Sequence, residues 1–230
     1  MLALVLAQLI LLAPAQEATA VAPRSYRPEF ENARVRVTRV VYQPREKIAL
    51  HDHPALPTVY LYLRDSGPVR FIHTGDESFT LTRPAVRAGG FRLSKGAQET
   101  HSVESMTDQL SEYLRIELKG LAVDRQVFRG RFPPEPPAAR RRVAQKVRYE
   151  DRQVRITRVT CAARRACDGL GASEAASLLV ALTPAWLKAD AAGTELTLAL
   201  GQTMWSEAGG APPFTNGSER PAEFLRIDLK

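Results

Sequence analysis

The sequence predicts an all-β protein made of two tandem copies of one module. Three observations predict it: apolar residues recur with a period of two, turn chemistry separates short runs, and the chain repeats itself. Glu31–Val40 returns as Glu150–Val159, and Glu112–Lys119 returns as Glu223–Lys230, with six identities in each pair. The matched segments open and close two units of similar length, so they mark copies of one supersecondary unit.

At the start, Met1–Leu12 is a nearly unbroken apolar run followed by Ala13-Pro14-Ala15 and Ala18-Thr19-Ala20, both small-residue cleavage patterns. This predicts a signal peptide over residues 1–20, removed on export, and a periplasmic or secreted mature protein. The run is too short to span a bilayer, and no later segment approaches the ~20 apolar residues a span needs.

The first module is expected over residues 28–119. Thr58–Leu63 and Val69–Ile72 are rich in β-branched and aromatic residues, and the turn formers Asp65–Pro68 and Thr74–Glu77 lie beside them. In the segment ending at Leu118, Leu114, Ile116 and Leu118 alternate with Tyr113, Arg115 and Glu117. That period predicts a strand with one buried and one solvated face. The arginines dispersed through such strands, part of a net charge of +7, read as solvated strand faces.

Residues 120–147 are expected to be a Pro/Arg-rich linker, because the prolines of Phe132–Pro137 preclude a central strand and favour an extended connector. The basic cluster Ala138–Arg142 is part of that linker or an anion-binding patch. The second module follows over 148–230. Many short strands at short spacing point to barrels or sandwiches, and 44% apolar residues suffice for a core. With neither aromatic platforms nor a binding motif, the chain is expected to take no nucleic acid.

The chemistry-bearing stretch is Leu50-His51-Asp52-His53-Pro54. On an extended strand, side chains at i and i+2 leave the same face, so His51 and His53 point the same way and can share one metal. His101 lies beyond a run of strand-like segments that can fold back beside the pair. Two polar residues on one strand face occur often by chance, so the context decides.

That context resembles the cupin family. Its first motif places His-x-His after a turn, here His51 and His53; its second places a Gly, a turn and a His, here Gly90, Ser94-Lys95-Gly96 and His101. The resemblance covers most of the chain after residue 28 and implies two tandem cupin-like jelly-roll barrels, a bicupin. Cupins commonly add a Glu four or five residues after the second His; here those positions hold Pro57 and Thr58. What remains is a three-His set for a divalent transition metal, with Zn, Fe, Ni, Cu and Mn all compatible with imidazole donors. The implied function is an exported bicupin that binds, and oxidises or isomerises, a small molecule. The other open reading is a non-enzymatic binding or structural cupin with no catalytic metal.

In the second copy the positions of His51, His53 and His101 become Leu170, Ala172 and Pro212, and no histidine follows His101. Gly201 aligns with Gly90. This copy is expected to be structural, either covering the first module's sheet or forming a homodimer face. His73, before a turn, is expected on the surface. Glu99 and Glu104 flank His101 as a hydrogen-bonding support or base, or as solvated charges. Trp205 and Phe214 are expected in the core, and Asn216-Gly217-Ser218 as a turn rather than a glycosylation site. Cys161 and Cys167 fall where Tyr42 and Ile48 flank a turn in the first copy, which predicts a disulfide across a hairpin.

Overall fold

The computed structural model describes residues 16–75, 78–122, 126–136, 144–189 and 193–230. The Met1–Leu12 apolar run, the Ala138–Arg142 cluster and part of the Thr74–Glu77 turn lie wholly or largely outside these residues. One short helix, α1 (Ala18–Val21), precedes the strands, and no described helix is long and apolar enough to cross a membrane.

The first copy contains β1 (Tyr26–Glu31), β2 (Val35–Tyr42), β3 (Lys47–His53), β4 (Thr58–Tyr62), β5 (Val69–His73), β6 (Phe79–Arg83), β7 (Phe91–Ser94), β8 (Glu99–Ser105) and β9 (Ser111–Leu118). The connector adds β10 (Gly130–Phe132). The second copy contains β11 (Gln145–Glu150), β12 (Val154–Cys161), β13 (Ala176–Ala181), β14 (Ala185–Ala189), β15 (Glu195–Leu198), β16 (Thr203–Ser206), β17 (Phe214–Asn216) and β18 (Ala222–Leu229). The sheet orders are β1-β2-β9-β4-β7-β10 and β3-β8-β5-β6, then β11-β12-β18-β13-β16 and β15-β14-β17. Each copy is therefore a double-sheet jelly roll rather than a closed barrel.

The repeat extends to local geometry. The bulge between Pro28 and Phe30 in β1 recurs between Val147 and Tyr149 in β11, and Arg45 and Arg164, 119 residues apart, both take positive φ. One alignment shifts by a residue: Gly201 and Gly89, not Gly90, share the positive φ and an N–H donated to the last carbonyl of β13 and of β4, respectively.

Three apolar cores explain the strand periods. Tyr26, Val40, Tyr42, Ile48, Tyr60, Val69, Val103 and Tyr113 fill the first copy between its two sheets. Val159, Leu179, Leu187, Phe214 and Phe224 do the same in the second. The third joins the copies face to face, with Val35, Val37, Val59, Leu61, Leu114, Ile116 and Leu118 against Val154, Ile156, Leu178, Val180, Leu225, Ile227 and Leu229. The second copy thus covers the first copy's sheet.

This arrangement corrects the one-buried-face reading of β9. Arg115 and Glu117 are 5% and 2% exposed, because the face opposite Leu114 and Ile116 points into the first copy's interior, not into water. Arg158 and Arg226 are likewise buried, so these strand arginines are not solvated faces. A charge survives there because it is paired: Arg115 Nε donates to Glu117 at 3.0 Å and Arg226 Nε to Asp228 at 2.7 Å.

The connector is tied down more than an extended linker requires. Phe128 is fully buried in the shared core, and β10 pairs with β7 to become the edge of the sheet, stacking Phe132 on Phe91 with centroids 4.5 Å apart. Placement at an edge is what nearby prolines permit. Cys161 and Cys167 are disulfide-bonded, with Cα atoms 4.8 Å apart, but the chain between Cys161 and Ala176 forms no hairpin strand. Phe214 is buried and Trp205 packs on the shared core, stacked on Phe30. Asn216 is fully buried, its Nδ2 donating to the carbonyls of Cys161, Ala162 and Arg220, so it pins a turn.

Because Ile116 and Ile227 meet in one core, Ile116→Ala and Ile227→Ala are each expected to cost about 2–5 kcal/mol. Both should shift one common unfolding transition in urea. Two separate transitions, with only one moved by each variant, would contradict a shared core.

Candidate metal centre

The site lies where β3, β8 and β5 run side by side. A bulge after Ile48 resets β3, and from there the register is regular: His51 opposite His101, Asp52 opposite Thr100, His53 opposite Glu99. His51 and His53 therefore share the inward face, while Asp52 turns away and accepts a hydrogen bond from Thr100. On its other side, His101 is opposite His73 of β5. The turn leading to β8 depends on Gly96: its φ is +77°, and a Cβ there would meet the Leu56 carbonyl carbon at 2.5 Å.

His51, His53 and His101 are all buried, at 0%, 6% and 2% exposure, and their candidate donor nitrogens lie within 4.8 Å of one another. Three donors about 2.1 Å from one ion stand about 3.4 Å apart in a tetrahedral shell, so the rings would close by up to about 1.4 Å to share one. His51 Nδ1 lies 2.8 Å from the Ala49 carbonyl, which only accepts; Nδ1 thus carries the proton and Nε2 the lone pair. His101 has both ring nitrogens buried without a hydrogen-bond partner. Buried polar atoms are almost always satisfied, so an orphaned imidazole facing two others has the chemistry of a cation ligand. The donor set suits Zn, Fe, Ni, Cu or Mn.

Burial lowers the pKa of all three imidazoles, and for His53 the positive charge of Arg115 adds to it. They stand as neutral ligands at neutral pH. Behind them runs a chain of buried phenols: Tyr26 hydroxyl lies 3.1 Å from His51 Nε2 and 2.8 Å from Tyr42, which lies 2.8 Å from Tyr113. These tyrosines read as ordinary strand residues, since only the folded register aligns their hydroxyls.

His73 is not on the surface. It is 8% exposed, stacks on Phe79 with centroids 4.3 Å apart, and meets the His101 ring edge-on at 5.0 Å. The cross-strand partnership with His101 draws it in, although it stays outside the three-nitrogen cluster. Glu104 faces outward to Lys47 and Arg70. Glu99 instead lies beside the site, with Oε2 3.8 Å from His101 Nδ1.

A narrow cleft of about 50 Å³, open to solvent at its mouth, runs beside His53, His73 and His101. Its walls are aromatic, from Tyr60, Tyr62, Phe71 and Tyr113, with Glu99, Arg83, Arg92 and Arg115 among them. The second copy has no counterpart of β3. Its segment 162–175 forms only an isolated bridge, Ala166 to Thr215, and Arg226 ties down the Gly169 and Gly171 carbonyls.

No protein-family model matches the chain, and no curated protein matches it in sequence. Solved structures do match. A cupin 2 conserved barrel domain protein from Leptotrichia buccalis shares 14% identity at a TM-score of 0.51, covering 89% of this chain and 88% of that one. The pirin YhhW from Escherichia coli, solved with nickel(II), gives 14% and 0.56, covering 89% and 90%. The salicylate 1,2-dioxygenase from Pseudaminobacter salicylatoxidans gives 11% and 0.53, covering 90% and 77%. The chain has the cupin fold: a jelly-roll scaffold with a three-histidine cluster that could hold a metal.

Substituting His51 or His101 with Ala should abolish stoichiometric metal as read by elemental analysis, whereas His73→Ala should leave it unchanged. Loss of metal in the His73 variant would mean a different ligand set. The depressed histidine pKa values also predict a pH effect on the metal-free protein. Below about pH 6.5 the unfolded chain takes up protons that the buried imidazoles do not, so stability is full above that value and falls as the pH drops. Thermal melts of chelator-treated protein between pH 8 and 5 should show it, and a flat profile would contradict it.

Proposed function

We propose that this protein is an exported two-module cupin holding one divalent transition metal through His51, His53 and His101. It binds, and oxidises or isomerises, a small molecule in the adjoining cleft. The observation that carries the proposal is the buried His101 imidazole, with both nitrogens unpartnered and two more imidazoles facing it. The nickel(II) in the pirin neighbour and the dioxygenase activity named for another support a metal and an oxidation on this scaffold.

A bound transition metal would supply Lewis acidity, and electron transfer if redox-active. The chain's own residues do the rest. His51 Nδ1 is locked on Ala49, which fixes the ring and makes Nε2 the donor atom, where an ion would take over the lone pair that now faces the Tyr26 hydroxyl at 3.1 Å. Glu99, with Oε2 3.8 Å from His101 Nδ1, lies where its carboxylate can accept a hydrogen bond from a ligand beside the cluster. Aromatic side chains line the cleft, which is open to solvent at its mouth, so a ligand can approach the histidines from that side.

The second reading, a binding protein without catalysis, is favoured by one observation: neither Pro57 nor Thr58 offers the carboxylate ligand, and no other carboxylate joins the described cluster. Elemental analysis of protein from the exported fraction, followed by a substrate screen with that metal restored, separates the two. One equivalent of metal with turnover supports the proposal; metal without turnover across the screen supports the second reading; no metal overturns the first.

Export also bears on the N-terminus. Asp52 N–H donates to the Gln16 carbonyl at 2.9 Å, and Ala18 is 4% exposed in the first core, so residues 16–21 brace the strand carrying the histidines. Cleavage after Ala15 keeps that brace; cleavage after Ala20 removes most of it. Mass spectrometry of the exported protein is expected to find Gln16 as the first residue, and an intact Met1 would sink the export reading.

A further inference from the structure

We propose that the cleft beside the histidines selects a small aromatic carboxylate, with Arg83 and Arg92 clamping its carboxylate group. The purpose of this clamp rests on the metal-site reading above, because it would present the body of the ligand to the three histidines; the clamp itself needs no ion.

The argument starts from how this chain treats arginines withdrawn from solvent. Arg39, Arg115, Arg158 and Arg226 have side chains 13%, 6%, 5% and 9% exposed, and each is paired with a carboxylate. Arg83 and Arg92 break that pattern. Both are half-buried, both line the cleft with His53 and His101, and among the described residues neither has a carboxylate within ion-pair distance. Arg92 Nε is buried with no hydrogen-bond partner at all. Its guanidinium lies over the Tyr60 ring, 3.9 Å from the centroid, and that of Arg83 lies over Phe71 at 5.5 Å, so each is held by an aromatic face with N–H groups left over.

Unpaired guanidinium groups facing one cleft are costly unless an anion joins them. Burial, and then the charge of Arg92, lower the pKa of Arg83, and the opposing effects of Tyr60 and the more distant Glu99 do not offset them. Glu99 lines the same cleft but lies beyond ion-pair distance of both. The same two arginines also line a second, outer cleft with Arg87, Arg131 and Phe132, so positive charge marks a route from the surface inward. A planar carboxylate matches the guanidinium fork, and the aromatic walls of Tyr60, Tyr62 and Phe71 suit a ring behind it.

The test is calorimetric titration of the purified full chain, as isolated and after chelation, with benzoate, its uncharged counterpart benzamide, and phenyl phosphate. Benzoate should bind saturably and at least about tenfold more tightly than benzamide, and Arg83→Gln or Arg92→Gln should each weaken benzoate about tenfold or more. Arg92→Lys, which keeps charge but not the fork, should recover part of the loss. Thermal melts report whether each variant folds, and Arg83→Gln with Arg92→Lys suffices if Arg92→Gln does not. His101→Ala should lose metal yet keep benzoate, so a failed metal site and a failed clamp read out separately. Equal binding of benzoate and benzamide, no effect of Arg83→Gln, no benzoate binding by folded wild-type protein, or tighter phenyl phosphate than benzoate would each overturn the proposal.

Discussion

The structure depends on a sheet that is buried on both faces. Along β9 and β2, alternate residues point in opposite directions, and in this chain neither direction is water. Leu114, Ile116 and Leu118 press against Leu225, Ile227 and Leu229 of the other copy, while Tyr113, Arg115 and Glu117 face the chamber that holds the histidines. Covering the apolar face with a second copy of the same apolar face frees the polar face to build an interior. Without that cover, the first copy would expose a broad apolar sheet.

The interior made this way is polar but nearly closed. Arg115 is satisfied by Glu117 and the Tyr60 hydroxyl, and the Tyr26–Tyr42–Tyr113 chain by its own members and His51. Against that background the few unsatisfied groups stand out: the His101 nitrogens and Arg92 Nε. In a low-dielectric chamber each represents a cost, which a cation at the histidines and an anion at the arginine would remove.

The second copy shows the same scaffold with the chemistry taken out. Its sheet order, bulge and positive-φ arginine all match the first. What is missing is the strand equivalent to β3, replaced by a disulfide-closed loop whose Gly169 and Gly171 carbonyls accept from Arg226. Arg226 occupies the place of Arg115, so one buried guanidinium position serves a loop in one copy and the histidine chamber in the other.

The sequence by itself determined the all-β class, the duplication, the absence of histidines from the second copy, and the shared strand face of His51 and His53. These follow from local rules: period two, identity at fixed spacing, and residue type. It also pointed to His101, through motif order. It could not reveal that the polar face of β9 is interior, because alternation separates two faces without saying which one meets water. Tertiary structure decided that, and with it the burial of Arg115, Arg158 and Arg226. It also drew His73 inward, since a residue before a turn is exposed or buried according to the strand beside it, here β8 with His101. The alignment of the tyrosine hydroxyls and the meeting of Arg83 with Arg92 in one cleft have the same origin. Residues far apart in the chain meet only through strand register, which no local pattern encodes.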